Sequence, residues 1–174
     1  MKTILLLRHA KSAWSNPGLI DHERPLSSRG ERAAKIMADY IADKCPRPDI
    51  ILCSTAVRTR QTLAPLVRRF PAPAPPIALE KSLYLASEAT LLARLQALAE
   101  EIGTALLIGH NEGIGELAAA LAGRGPADPL KALQEKFPTG ALAFFRVPDG
   151  PWGDLSPGSA KLVEFVRPRD LKAD

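Results

Sequence analysis

The sequence is poor in the residues on which several common protein designs depend. Its 174 residues hold two cysteines, three histidines and only 5% aromatics. Cys45 and Cys53 make neither a disulfide framework nor a zinc cluster, and such usage suits a reducing compartment. No apolar run approaches the length of a membrane span. Met1-Lys2-Thr3 and the apolar residues after it resemble the opening of a signal peptide. Arg8 cuts that run short, however, and no small-residue cleavage site follows. A cytoplasmic protein without a membrane partner is expected. The basic excess is only +4, and its lysines and arginines are scattered rather than striped. Nucleic acid is therefore not indicated as a partner, whereas an anionic substrate accounts for part of the excess. No internal repeat is visible.

What is present is the composition of a folded globule, 46% hydrophobic and 24% charged. The length suits one domain, 1–174, able to bury a full core. Apolar runs alternate with amphipathic stretches. Strands are expected at about 2–8, 49–53, 77–79, 104–109, 141–147 and 160–167, the last two antiparallel across a Pro/Gly-rich turn. One helix is expected from Ser27 or Ser28, with Ser28-x-x-Glu31 as a capping box and Ala33, Ile36, Met37, Tyr40 and Ile41 as its core face. A second carries Leu63, Leu66, Val67 and Phe70 and contains Pro65, which should kink it. A third, capped by Ser87, is expected over 88–102, and a fourth over 112–122, ending at Gly123. The proline-rich 70–76 reads as a stiff connector, and 168–174 as a frayed charged tail.

Three apolar runs end in cationic or hydrogen-bonding residues. Ile4-Leu5-Leu6-Leu7 runs into Arg8-His9-Ala10-Lys11-Ser12. Ile50-Ile51-Leu52-Cys53 runs into Ser54-Thr55-Ala56-Val57-Arg58-Thr59. Ala105-Leu106-Leu107-Ile108-Gly109 runs into His110-Asn111. Open α/β sheets place their chemistry at the carboxyl ends of strands. Parallel strands would gather Arg8, His9, Arg58 and His110 at one sheet edge. A guanidinium at such an end needs an anion or water, so two readings stand for Arg8: an anion site, or a strand end snorkelling to solvent. Arg58 in the first turn of a helix is electrostatically poor unless an anion is near. His110 alone fits a structural histidine equally well.

With these three segments, and with Asp21-His22-Glu23-Arg24-Pro25-Leu26 following the first, the chain resembles the histidine phosphatase superfamily, also called phosphoglycerate mutase-like. Within it the chain is similar to the SixA-type phosphohistidine phosphatases. The resemblance implies a three-layer α/β sandwich with a mostly parallel sheet and helices on both faces. It implies a phosphatase that needs neither metal nor other cofactor and works through a phosphohistidine intermediate. His9 is the implied nucleophile, and Arg8, Arg58 and His110 hold the phosphoryl group. Ser12 and Ser54 complete the expected substrate-contacting set, and Thr59 flanks Arg58. The expected partner is a phosphorylated protein bearing phosphohistidine, or a small phosphate compound.

The family's Arg-His-Gly appears here as Arg8-His9-Ala10. Many relatives that cleave phosphate monoesters carry a glutamate acid where this chain has Leu85, leaving Glu80 and Glu112 as substitutes, or no acid at all. An alkoxide leaving group needs a proton donor, so its lack favours phosphohistidine or acyl phosphate. Three rival readings remain: a small-molecule phosphomonoesterase, a non-catalytic phospho-ligand module, and a cysteine phosphatase. The last requires five residues between cysteine and arginine, whereas Cys53 and Arg58 are separated by four. Asp21 and Arg24 are expected to pair and hold their loop, Trp14 to floor the substrate entrance or anchor the loop, and His22 to stay outside the chemistry.

Overall fold

Strand β1 (Lys2–Arg8) lies inside a seven-stranded sheet in the computed structural model, which describes residues 1–171. Along the chain follow α1 (Ser28–Lys44), β2 (Ile50–Ser54), α2 (Val57–Val67), β3 (Ile77–Glu80) and α3 (Glu88–Gln96). Then come β4 (Thr104–Gly109), α4 (Gly113–Leu121), β5 (Ala122–Arg124), α5 (Ala127–Glu135), β6 (Leu142–Val147) and β7 (Ala160–Val166). The spatial order is β3-β2-β4-β1-β6-β7-β5. Only β6 runs against the others, antiparallel to both β1 and β7. No helix among the described residues is long and apolar enough to cross a membrane.

The period-two alternation of β1 divides the core. Ile4 and Leu6 pack with Leu91, Leu95, Ile114, Leu117 and Leu133 of α3, α4 and α5. Leu5 and Leu7 face the other way, onto Met37 and Ile41 of α1 and Leu63 and Leu66 of α2. Burial on both faces explains why β1 and β4 read as unbroken apolar runs rather than alternating ones. Each such buried aliphatic side chain contributes about 1.5–3 kcal/mol. Trp152 closes the first core, its indole N–H donating to the Ile102 carbonyl at 2.9 Å.

Several boundaries differ from the sequence reading. The cap of α1 is Ser27, whose Oγ accepts from Gly30 N–H at 3.0 Å, so the Ser28–Glu31 box is not used. The buried face of α1 includes Ala34 and Ala38 beside Met37 and Ile41. Helix α3 stops at Gln96 instead of running to 102. Glu100 and Glu101 would lie against the negative end of a longer helix, and Glu100 instead reaches Lys2 at 3.2 Å. Gly123 is no helix terminator but part of β5, where a Cβ would lie 1.9 Å from the Gly158 carbonyl oxygen. Helix α5 was not expected, although Leu130, Leu133 and Phe137 stand at helical spacing and Leu133 and Phe137 are buried. Residues Pro168–Leu171 form a tight helical turn, with Arg167 bound to Asp170, where fraying was expected; the rest of that tail, 172–174, lies outside the described residues.

The start of α1 is pressed against the loop after β1. Ser27 Oγ donates to the Lys11 carbonyl at 3.2 Å, and a Cβ on Gly30 would stand 2.0 Å from that same oxygen. Gly30→Ala should gain about 1 kcal/mol of helix propensity. Against this, overpacking costs about 1–3 kcal/mol, and both clashing groups are anchored. The expected outcome is a lower midpoint of urea unfolding for Gly30→Ala; an unchanged or raised midpoint would show that the Lys11 backbone is free to move aside.

Candidate functional site

Strands β1 and β4 end in register, Arg8 beside Gly109, so the residues that follow emerge side by side. The His9 N–H donates to the Gly109 carbonyl at 3.1 Å, and the His9 and His110 ring centroids stand 5.3 Å apart. Gly140 N–H lies 3.1 Å from the Arg8 carbonyl and 2.9 Å from that of His9. Gly140 adopts φ +77, and a Cβ there would meet Pro168 Cγ at 2.9 Å. A side chain is therefore excluded twice at this position, by backbone conformation and by contact. Arg8 Nη1 donates to the Phe137 carbonyl at 2.9 Å, fixing its guanidinium from the same loop.

Helix α2 braces the site from the other side. Ala10 N–H donates to Thr62 Oγ1 at 3.0 Å, and Thr62 Oγ1 donates to the Arg58 carbonyl at 2.7 Å. Arg58, in the first turn of α2, is only 2% exposed. Its charge is met by Asp21: Nη1 donates to the Asp21 carbonyl at 2.8 Å and Nη2 to Oδ2 at 2.9 Å. The Tyr84 hydroxyl donates to the same carboxylate oxygen. Arg24 Nη2 donates to Asp21 Oδ1 at 3.0 Å, and its guanidinium stacks 3.4 Å from the centre of the Trp14 ring.

The result is a cleft of about 450 Å³ bordered by Arg8, His9, Ser12, Arg24, Arg58 and His110, with Lys11, Trp14, Asp21, Leu85, Asn111 and Thr139 completing its wall. Among the side chains that border it, Nε of Arg8, Nε of Arg58, Nε and Nη1 of Arg24, and Nδ1 of His110 are buried without a protein partner. An unpaired buried donor costs about 1–3 kcal/mol. An anion with several acceptor oxygens satisfies such a set.

Burial first, and then neighbouring charged groups, set the protonation of the two rings. His9 is pushed down to about 4, by burial and by Arg58, Arg8 and Arg24, against the opposing pull of the Ala10 carbonyl. His110 is pushed down to about 3, by burial, His9 and Arg58. Burial also lowers Arg8, with Arg58 adding to it. Burial raises Asp21, but the Tyr84 hydroxyl and Arg58 outweigh it and hold the carboxyl at about 2. Because a carbonyl only accepts, the 2.7 Å contact of His9 Nδ1 with the Ala10 oxygen places the proton on Nδ1. The neutral ring then carries its lone pair on Nε2.

Of the residues singled out in the sequence, Arg8, His9, Ser12, Arg58 and His110 all border the cleft. Ser54 does not. It is fully buried beneath His110, its Oγ 2.8 Å from His110 Nε2 and accepting from Ala56 N–H at 3.3 Å. Thr59 donates to the Ser54 and Ala56 carbonyls and so ties the turn before α2. Glu80 is held by Arg94 through bonds of 2.7 and 2.9 Å, and neither it nor the exposed Glu112 lines the cleft. Leu85 does line it, and Trp14 is 77% exposed at its mouth rather than anchored in the core. Cys53 is fully buried, and burial pushes its thiol up to about 12. His22 lies 2.8 Å from Thr55 Oγ1, outside the cleft wall. Among the described residues, no three of His, Cys, Asp and Glu cluster in a way that would hold a metal ion.

The sequence reading missed Tyr84 and left Asp21 and Arg24 out of the site. The Asp-x-x-Arg spacing signalled their mutual pairing. Nothing local signalled that Asp21 also reaches Arg58, 37 residues away.

Comparison with known proteins bears on the family and the fold. The sequence model of the histidine phosphatase superfamily (branch 1) matches residues 4–83. Uncharacterized protein Rv1276c of Mycobacterium tuberculosis is 39% identical over 165 residues, 94% of this chain and 100% of the relative. Among solved structures, the candidate phosphohistidine phosphatase SixA of Agrobacterium tumefaciens is 35% identical with a TM-score of 0.79, over 95% of this chain and 97% of that one. Its counterpart from Nakamurella multipartitia is 28% identical with a TM-score of 0.82, over 96% of each chain. The fold is also that of protein histidine phosphatase SixA solved with tungstate, at TM-score 0.75, 23% identity and coverage of 98% of this chain and 99% of that one. The chain belongs to the histidine phosphatase superfamily and, within it, to the SixA-type group.

Proposed function

We propose that the protein is a phosphatase that passes through a phosphohistidine at His9 and acts on phosphohistidine in a protein. The observation that carries this reading is the tautomer of His9. Its Nδ1–H is committed to the Ala10 carbonyl, its ring stays neutral well below pH 7, and three guanidiniums border the same cleft. His9 Nε2 attacks phosphorus; the N–P bond forms as the bond to the leaving group breaks. Arg8, Arg24 and Arg58 take up charge on the transferring oxygens through planar forks. With Ser54 Oγ–H donating to His110 Nε2 at 2.8 Å, the neutral ring carries its proton on Nδ1, which then donates to a phosphoryl oxygen in this reading. Water then attacks the phosphoenzyme, releasing phosphate and restoring neutral His9.

The leaving group supports an N–P substrate. The carboxyl bordering the cleft, Asp21, is ionised at neutral pH and cannot donate a proton. Leu85 offers none, and Glu80 is bound to Arg94. An alkoxide departs poorly without an acid, whereas a phosphohistidine takes a proton from solvent on its other ring nitrogen and then departs as neutral imidazole. The mouth supports a protein substrate: Trp14 and Leu85, 77% and 54% exposed, present apolar surface on its rim. A small phosphomonoester substrate is the second reading, kept open by the width of the cleft.

His9→Ala is expected to abolish both turnover and phosphoenzyme labelling while keeping the native melting profile, whereas Cys53→Ser keeps its activity. Turnover surviving in His9→Ala would falsify the proposed nucleophile. Phosphohistidine and aryl phosphates should be cleaved readily and alkyl phosphates poorly. Equal rates on all three, compared as kcat/KM, would require an acid that this site does not provide.

The pH dependence has a defined sign. Folding depresses the imidazole of His9 to about 4, whereas in the unfolded chain it titrates near ~6.5. The unfolded chain therefore binds more protons as pH falls below ~6.5, and stability drops between there and about pH 4. For the same reason the acid limb of kcat/KM, corrected for substrate ionisation, should fall near pH 4. A limb centred near ~6.5 would show that His9 is not shielded as described.

A further inference from the structure

A second cleft, of about 440 Å³, adjoins the first. Lys11 and Thr139 border both. Its other charged walls are Arg29 from α1, Glu135 and Lys136 from the end of α5, and Arg167 and Arg169 from the end of β7 and the turn after it. Arg167 is matched by Asp170 at 2.9 and 3.0 Å, with Glu135 adding at longer range. Lys11, Arg29, Lys136 and Arg169 have exposed heads, and among the described residues none of them forms an ion pair. Ala33, Ala132, Pro138 and Pro168 provide an apolar floor for their stems.

From this we infer that the cleft walled by Arg29, Lys136 and Arg169 is a docking subsite for an acidic segment of the substrate protein, flanking the phosphorylated residue. The inference rests on the phosphatase reading above and adds to it a determinant of substrate choice. Flexible cationic heads spread along a half-open trough suit carboxylates distributed over several residues. A single tetrahedral ion would call for converging, fixed donors of the kind found in the first cleft. The two clefts share Lys11 and Thr139, so a chain leaving the phosphoryl site reaches the second by passing along these two residues. The Thr139 side of that wall is held to the chemistry, because the neighbouring Gly140 donates to the carbonyls of Arg8 and His9. Rim charges of this kind act mainly on encounter rate and partner choice, and their reach shrinks with salt.

The test uses the full chain and two synthetic phosphohistidine peptides, one flanked by glutamates and the other by glutamines. At low ionic strength kcat/KM should favour the glutamate peptide by at least about tenfold, and the preference should shrink as salt is raised. The triple variant Arg29→Glu, Lys136→Glu, Arg169→Glu should erase the preference while its rate on p-nitrophenyl phosphate stays at the wild-type value. Equal kcat/KM for the two peptides, or a preference that survives in the triple variant, overturns the proposal. If the triple variant melts early, the three single alanine variants serve instead, each expected to lose part of the preference. If neither peptide is cleaved while p-nitrophenyl phosphate is, the phosphohistidine reading fails separately. The cleft is then judged by fluorescence anisotropy of an unphosphorylated glutamate peptide. Binding by the wild type but not by the triple variant supports the subsite, and no binding by the wild type overturns it.

Discussion

The carboxylate of Asp21 keeps two guanidiniums at the site where the fold alone would resist them. Arg58 is almost wholly buried and sits in the first turn of α2, where the helix dipole opposes a positive charge. Asp21 meets it with both its backbone carbonyl and its side chain, and the same carboxylate also holds Arg24. The remaining parts follow from this arrangement. Tyr84 is drawn to Asp21 from the loop after β3, and Arg24 is left flat against Trp14. Breaking a buried pair by removing one partner costs more than the pair itself contributes. Asp21 is itself half exposed, and solvent screening moderates that cost here.

The positive field has two effects that work in the same direction. Adding to burial, which is the larger cause, it keeps both imidazoles neutral and so preserves a lone pair on His9. In the proposed reaction it also provides donors where negative charge would accumulate during phosphoryl transfer. Asp21 does not cancel this advantage, because it engages only part of each fork. Nε of Arg58 and both Nε and Nη1 of Arg24 remain buried donors without protein partners.

The sequence made the layers, the mostly parallel sheet and the convergence of Arg8, His9, Arg58 and His110 legible for one reason. Buried parallel strands are unbroken apolar runs, and each run ended where polarity began. The antiparallel relation of β6 and β7 was also legible from their turn. The end of α3 and the strand β5 were not, because tertiary contacts decide them, whereas the helical spacing of Leu130 and Leu133 in α5 and of Phe137 just after it was present in the sequence and went unread. Glu100 is taken by Lys2, and Gly123 packs against Gly158. Ser54 was assigned to substrate contact by its place beside Arg58 in the sequence, yet its hydroxyl serves His110, 56 residues away. Side-chain direction at a strand end cannot be read from spacing alone.

Trp14 gives the molecule an optical property. The chain has two tryptophans. Trp152 is 1% exposed in the apolar core and emits from a dry environment, whereas Trp14 is 77% exposed at the cleft mouth with a guanidinium against its face. Their emission therefore separates by wavelength, red for the cleft and blue for the core. Any rearrangement of Arg24 alters the quenching of the red component alone. Unfolding shifts the blue component toward the red. A single fluorescence spectrum thus draws on both the state of the cleft and the integrity of the core, without a label.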